Sequence, residues 1–268
     1  MNEKSQEKKL IEQQKAHFNS IAEKYETARS GENHLMIKEL IWHHCLKKLP
    51  IDRDKKHRTL EAMCGFAEGR TLIVEHLGID IDYVGFDYSD NVVATLKEKH
   101  PGLDIHQKDA TEFLPEYASY DVIILIGGLH HVPNHAAKVV KNLSTGLKKG
   151  GIFINFEPTY GNPLNQWVRN RIYQSNELFD EETERDFSVK ELKSFFTDAK
   201  LEPLRIRYPG LLSYILFYNP DAFPFLNFGG LWLVKLTFLI DRLFYKNVIG
   251  ACFSFATLSV WQKKDGDD

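Results

Sequence analysis

Between residues 59 and 156 the chain alternates two patterns: short apolar runs, and stretches where apolar residues recur every three or four positions. The short runs predict strands at Thr59–Met63, Tyr83–Phe86, Leu103–Gln107, Val122–Ile126 and Ile152–Phe156. The longer stretches predict helices at about 69–78, 91–99 and 134–148, the last closed by Lys148, Lys149, Gly150 and Gly151. The fourth strand is wholly apolar after Asp121, the mark of a parallel strand covered on both faces. Strand and helix in strict alternation predict an α/β fold, a doubly wound and mostly parallel sheet.

The flanks read differently. Residues 4–26 place Leu10, Ile11, Phe18, Ile21 and Tyr25 among Lys, Glu and Gln, which predicts an amphipathic helix. A second helical pattern over 33–48 stops before Pro50, which cannot continue it, and Asp52 to Arg58 reads as a solvated loop. After the fifth strand, residues 158–175 carry Trp167, Val168, Ile172 and Tyr173, a helix over the active edge of the sheet. Ser188 with Glu191 three residues on is a capping box opening another helix. A sixth strand follows at Leu204–Tyr208, with Pro203 just before it where no ladder donor is missed, and a seventh at Cys252–Trp261, rich in aromatic and β-branched residues. The chain thus reads as one domain over 1–268: N-terminal cap helices in 1–55, a seven-stranded core sheet in 56–210 and 247–264, and a hydrophobic helical insert at 211–246 before the last strand.

Composition narrows the class. The chain has 268 residues, 43% hydrophobic and 26% charged, as a soluble globular protein does. A formal net charge of −3 creates no field for a phosphate backbone, so nucleic acid is not expected as a partner. Cys45, Cys64 and Cys252 are widely spaced, which points to free thiols in a reducing compartment. The charged amino terminus lacks the apolar core of a secretory signal, and the expected location is the cytoplasm.

The candidate chemistry sits at strand ends. Glu61 closes the first strand, and the turn after it is lined by Gly65 and Ala67, where a nucleotide must approach the backbone. About 20 residues past that turn Asp87 closes the second strand, at the place where the ribose of a nucleotide expects a carboxylate. Each acid also has a structural reading: Glu61 paired with Arg58 or Arg70, Asp87 capping the helix that starts near Ser89, Asp109 forming a turn. His130 and His131 follow the fourth strand, where an imidazole can accept a proton at neutral pH or simply hold the next helix. His131 and His135 are four apart, but Pro133 and Asn134 place them on a loop and no third ligand is evident, so no metal is expected.

With these residues in place the chain resembles the class I S-adenosylmethionine-dependent methyltransferases, over roughly residues 15–210 and again in the final strand. It is most similar to the branch containing ubiquinone-biosynthesis and small-molecule methyltransferases. The stretches Phe18–Tyr25 and Gly128–Val132 carry that similarity. The resemblance implies a Rossmann-like sheet of seven strands whose reversed last strand pairs with the sixth, and S-adenosyl-L-methionine as cofactor. It implies that Glu61 and Gly65 hold the methionine end, Asp87 takes the ribose hydroxyls, and Tyr88 lies against the adenine. Asp109 and Ala110 address the adenine, the carbonyl of Ile126 beside Gly127 meets the ammonium, and Tyr25 closes over the site. The family motif commonly reads acid-x-Gly-x-Gly-x-Gly; here Met63 replaces the first glycine and Ala67 the third.

The expected function is methyl transfer to a small-molecule or lipid-linked acceptor at oxygen, with His130 assisting as base. Two alternatives stay open: an RNA-modifying methyltransferase, which would bring a basic surface, and a nicotinamide-dependent oxidoreductase, which would bring a G-x-G-x-x-G that is missing here. The apolar stretch Leu211–Tyr245 is broken by Pro220, Pro224, Gly229, Gly230 and charged residues, too often for a span needing about 20 apolar residues. Its readings are ordinary packing on the sheet, a lid over an apolar substrate, a homodimer surface, or peripheral contact with the inner face of a membrane.

Overall fold

The computed structural model describes residues 29–175, 185–220 and 224–264. In chain order the elements are α1 (Glu32–Leu46), β1 (His57–Ala62), α2 (Glu68–Leu77), β2 (Ile81–Asp87), α3 (Asp90–Lys99), β3 (Asp104–Gln107) and β4 (Tyr120–Ile126). A 3-10 turn at Leu129–His131 leads to α4 (Ala136–Thr145), β5 (Leu147–Tyr160), α5 (Pro163–Ser175), β6 (Phe187–Ser188), α6 (Val189–Asp198) and β7 (Leu201–Arg207). Then come α7 (Leu212–Phe217), a 3-10 turn at Pro224–Leu226, α8 (Leu231–Asp241), α9 (Val248–Phe253) and β8 (Ala256–Lys263). Tyr25 and the helix expected over 4–26 lie outside the described residues.

The chain divides into two compact bodies. Of the described residues, a sheet body comprises 46–157, 190–206 and 258–264, and a helical body 29–45, 158–175, 185–189, 207–220 and 224–257. The strand order is β3-β2-β1-β4-β5-β8-β7, with the short β6 beside β5. The pairs β1–β2, β1–β4, β2–β3 and β4–β5 are all parallel. Chain order runs outward from β1 to β3 on one side and through β4 and β5 on the other, so the topological switch point falls between β1 and β4. The core of the sheet body lies there: Val122, Ile123, Ile124 and Leu125 of β4 are fully buried, as an apolar parallel strand must be. On α6 the Phe196 ring stacks on Trp261, centroids 4.9 Å apart, and meets Phe153 edge-on at 5.2 Å.

Some boundaries differ from expectation. Strand β5 begins at Leu147, so Lys148 to Gly151, expected to close a helix, are strand; a register irregularity between Tyr120 and Val122 and a left-handed Gly150 (φ 75°) accommodate the extra length. Pro203 is the third residue of β7, where the sheet's edge position excuses its missing donor. Cys252 and Phe253 are helical. Asn247 caps α9 by accepting from Gly250 N at 3.0 Å, and this local bond overrides the β-rich composition; the last strand starts at Ala256.

The helical body is held by buried polar contacts between apolar surfaces. Trp42 of α1 donates its indole N–H to the Tyr218 hydroxyl at 3.1 Å, and His44 meets Tyr245 edge-on at 5.6 Å. Asp241 accepts from both the N–H and the hydroxyl of Ser213 at 2.6 Å, tying the end of α8 to the start of α7. Backbones approach closely at Gly161, where a Cβ would stand 2.0 Å from the Ala251 carbonyl. Among the described residues no helix is long and apolar enough to cross a membrane.

Candidate active site

The turn after β1 has an alternating backbone. Met63 (φ 51°), Gly65 (φ 49°) and Ala67 (φ 58°) are all left-handed. The two non-glycine residues hold this conformation at a cost of roughly 1–2 kcal/mol each. The turn thus holds left-handed conformations at two places that lack glycine. Its N–H groups are tied down: Cys64 N donates to Phe86 O at 2.9 Å, Gly65 N to Asp87 Oδ2 at 2.9 Å, and Ala67 N to Cys64 O at 2.8 Å.

Glu61 lies beneath this turn, 2% exposed. Its Oε1 accepts from Gly69 N at 2.9 Å, and its Oε2 from Arg70 N at 3.0 Å and the Tyr83 hydroxyl at 2.7 Å. Ala67 gives α2 no side-chain cap, so Glu61 serves its orphan N–H groups from the preceding strand. Burial pushes the Glu61 carboxyl up to about 7, against the pull of these three donors. Burial and the adjacent Glu61 charge push the Tyr83 phenol far up, so it stays a donor. The same effects push the Cys64 thiol up, which leaves it a poor nucleophile.

Two glycines make the Glu61 arrangement possible. A Cβ on Gly69 would stand 2.6 Å from Glu61 Oε1. Gly85 pairs across the sheet with Glu61, and a Cβ there would stand 2.8 Å from the Tyr83 hydroxyl; its absence lets the ring cross to the acid. Sequence reasoning missed Tyr83, Gly69 and Gly85. The signal was a glycine inside an apolar strand two residues after a tyrosine, which marks a close approach.

Asp87, at the end of β2, accepts from Gly65 N and, through Oδ1, from Ser89 N at 2.9 Å. The helix cap is Ser89 itself, whose Oγ accepts from Val92 N at 3.2 Å, so Asp87 joins two loops and does not cap α3. Burial raises its carboxyl, while the Ser89 and Gly65 donors and the His131 imidazole oppose the rise. Tyr88 follows it, and its carbonyl accepts from Gln107 at 3.2 Å. Beyond β3, Asp109 Oδ1 accepts from Thr111 N and Oγ1 at 2.8 Å; Oδ2 has no partner among the described residues. Ala110 beside it is buried.

Ile126 ends β4, and the left-handed Gly127 (φ 59°) turns the chain, its N–H donating to Phe156 O at 2.7 Å. The next side chains are governed by a residue the sequence did not single out. Glu157, fully buried on β5, accepts from Gly128 N and Leu129 N through Oε1 and contacts His130 Nδ1 through Oε2, each at 2.9 Å. A carboxylate only accepts, so Nδ1 carries a proton and Glu157 fixes the orientation of the ring. The rings of His130 and His131 lie 4.0 Å apart.

Acids at the carboxyl ends of β1 and β2 and within β5, a left-handed turn and an imidazole–carboxylate pair thus gather at the switch point, the place where α/β sheets bind nucleoside cofactors. Residues 59–151 match the family described as methyltransferase domain. Demethylmenaquinone methyltransferase of Bacillus cytotoxicus is 25% identical over 211 residues, 71% of this chain and 87% of that one. Trans-aconitate 2-methyltransferase of Rhizobium rhizogenes is 29% identical over 107 residues, 40% of each chain. The solved S-adenosylmethionine-dependent methyltransferase of Thermotoga maritima shares the fold, with a TM-score of 0.59 at 16% identity over 93% of this chain and 99% of that one.

The matched segment and the relatives, on a sheet of this topology, support a class I S-adenosylmethionine-dependent methyltransferase, an enzyme that takes S-adenosyl-L-methionine as cofactor. The described residues fit that molecule. A Cβ built on Gly65 meets nothing within 4 Å, so the crest of the turn is open to a close ligand, and Asp109 keeps one carboxylate oxygen unused.

Proposed function

We propose that this enzyme transfers the methyl group to an oxygen of a small-molecule or lipid-linked acceptor, with His130 as general base. The observation that carries this reading is the His130–Glu157 contact of 2.9 Å at the end of β4. S-adenosyl-L-methionine supplies a methyl group already activated on a sulfonium, so the protein's work is to orient, to exclude water and to take a proton. Asp87 accepts from the ribose hydroxyls, Asp109 Oδ2 from the adenine amine, and the Ile126 carbonyl from the ammonium, with Tyr88 and Ala110 against the base. Glu61 acts on the methionine end through the turn it anchors, together with Gly65. His130 takes the proton of the acceptor hydroxyl at Nε2, and Glu157 stabilises the imidazolium that results. The curated relatives named above act, by their names, on small molecules, which supports an acceptor of that class.

The test is labelled methyl transfer with phenols, quinols, carboxylic acids, amines and RNA, the product located by mass spectrometry. Label on oxygen is expected. His130→Ala should lower kcat by roughly 10²–10⁴-fold while calorimetric affinity for the cofactor is unchanged; Asp87→Ala should lose that affinity. Label on nitrogen, carbon or RNA, or full turnover in His130→Ala, overturns the reading.

A further inference from the structure

We infer that the 224–253 segment is a docking surface for an anionic lipid bilayer, with α8 lying in the plane of the interface. Helix α8 is apolar on both sides. Val234, Thr237, Phe238 and Asp241 face inward and are buried. Trp232 (67% exposed), Leu236, Leu239 and Ile240 face outward, within an arc of about 100° at helical spacing. The chain then presents Leu243, Val248 (83% exposed), Ile249 and Phe253 in the turn and in α9. A monomer seldom exposes contiguous apolar surface on this scale without a partner for it.

Charge chooses the partner. The exposed charges of 224–253 are Lys235, Arg242 and Lys246, and all are cations. The one acid of the segment, Asp241, is buried and bound to Ser213. Lys235 borders the apolar arc, and Arg242 and Lys246 stand in the turn beyond it. None of the three has an ion-pair partner among the described residues. A second copy of the chain would meet this face about a two-fold axis, setting cations against cations with no exposed acid of the segment to answer them. An anionic leaflet answers all three, takes the aliphatic side chains into its acyl boundary and holds the Trp232 indole at headgroup level. At 11 residues α8 is far too short to span a bilayer, so it lies along the surface. This inference is independent of the acceptor's identity.

The test uses the full chain and sedimentation with vesicles of phosphatidylcholine, with and without phosphatidylglycerol. Binding only to the anionic vesicles, weakening with salt, is expected. Neutralising Lys235, Arg242 and Lys246 together to Gln should weaken binding about a hundredfold, at roughly fivefold per cation. Trp232→Ala and Leu243→Ala should each cost roughly tenfold. All five side chains are exposed, and unchanged circular dichroism and cofactor affinity will show that the variants fold. Three results overturn the inference: no vesicle binding, vesicle binding that these variants leave unaltered, or a dimer in solution that Leu243→Ala dissociates.

Discussion

Gly69→Ala would be a mild change in most helices and should be severe here. The new Cβ would stand 2.6 Å from Glu61 Oε1 and 2.8 Å from its Cδ, against ordinary contacts of 3.4 Å or more. Glu61 cannot swing aside, because Gly69 N, Arg70 N and the Tyr83 hydroxyl hold it from three directions. Relief means breaking at least the two backbone bonds. At pH 8, where the Glu61 carboxyl is ionised, hydrogen bonds to a charged group contribute roughly 1.5–3 kcal/mol each, while alanine regains about 1 kcal/mol of helix propensity. The net loss is about 3 kcal/mol. The same substitution in a Glu61→Ala background meets no carboxylate, and it should be neutral or stabilising by up to about 1 kcal/mol. Urea unfolding of the four proteins of this cycle measures the coupling. Equal costs in both backgrounds would refute the reasoning and shift the blame to Ile124, whose Cγ2 would lie 3.0 Å from the same Cβ.

Two further outcomes follow from the same site. The folded Glu61 carboxyl titrates near 7 against an ordinary value of 4.5, so between those pH values the folded chain holds a proton that the unfolded chain has released. Its contribution to stability therefore falls as pH rises through that window, by on the order of 3 kcal/mol. The stability of wild type relative to Glu61→Gln, measured by urea unfolding from pH 4.5 to 8, should fall by this amount; a flat difference would show that Glu61 is not protonated at the acid end. Ala67→Gly relieves a left-handed residue (φ 58°) at the cost of a more flexible unfolded chain, for a net gain of about 0.5 kcal/mol. Calorimetry should show Tm rising by roughly 1–2 °C, and a lower Tm would count against strain at this position.

Patterns within the reach of one element were legible in the sequence. The unbroken apolar run of β4 announced a buried central strand, and the strand-end position of Asp87 marked it as a candidate without knowledge of its neighbours, whereas Asp109, beyond the end of β3, became one only through the family resemblance. What depended on pairing register was hidden. Tyr83 serves Glu61 because Gly85 stands opposite that acid across the sheet, and spacing along one strand does not show this. Glu157 was hidden differently: the expected fifth strand stopped at Phe156, so the acid that orders the loop after β4 fell just outside it. Strand β5 in fact continues to Tyr160. Cap chemistry decided the boundary near Cys252, where Asn247 holds a short helix in a stretch whose composition favours strand.

The three acids of the site share a design that explains why its motif departs from glycine. Glu61, Asp87 and Glu157 each accept from two backbone N–H groups, Glu61 from the first turn of α2 and the other two from the segments that follow the strand ends. Such charge-assisted bonds contribute roughly 1.5–3 kcal/mol each, enough to hold Met63 and Ala67 in a conformation that costs roughly 1–2 kcal/mol per residue. Glycine at those positions would make the turn easy to form; the acids make it hard to leave. Met63 then brings a gain in packing, since its Sδ and Cβ fill the space beside Gly128, where a Cβ would stand 2.8 and 3.1 Å from them. The loop after β1 and the loop after β4 are therefore wedged together as well as anchored. A turn built this way holds the open Gly65 crest in place before any ligand arrives, which is what an enzyme working chiefly by orientation requires.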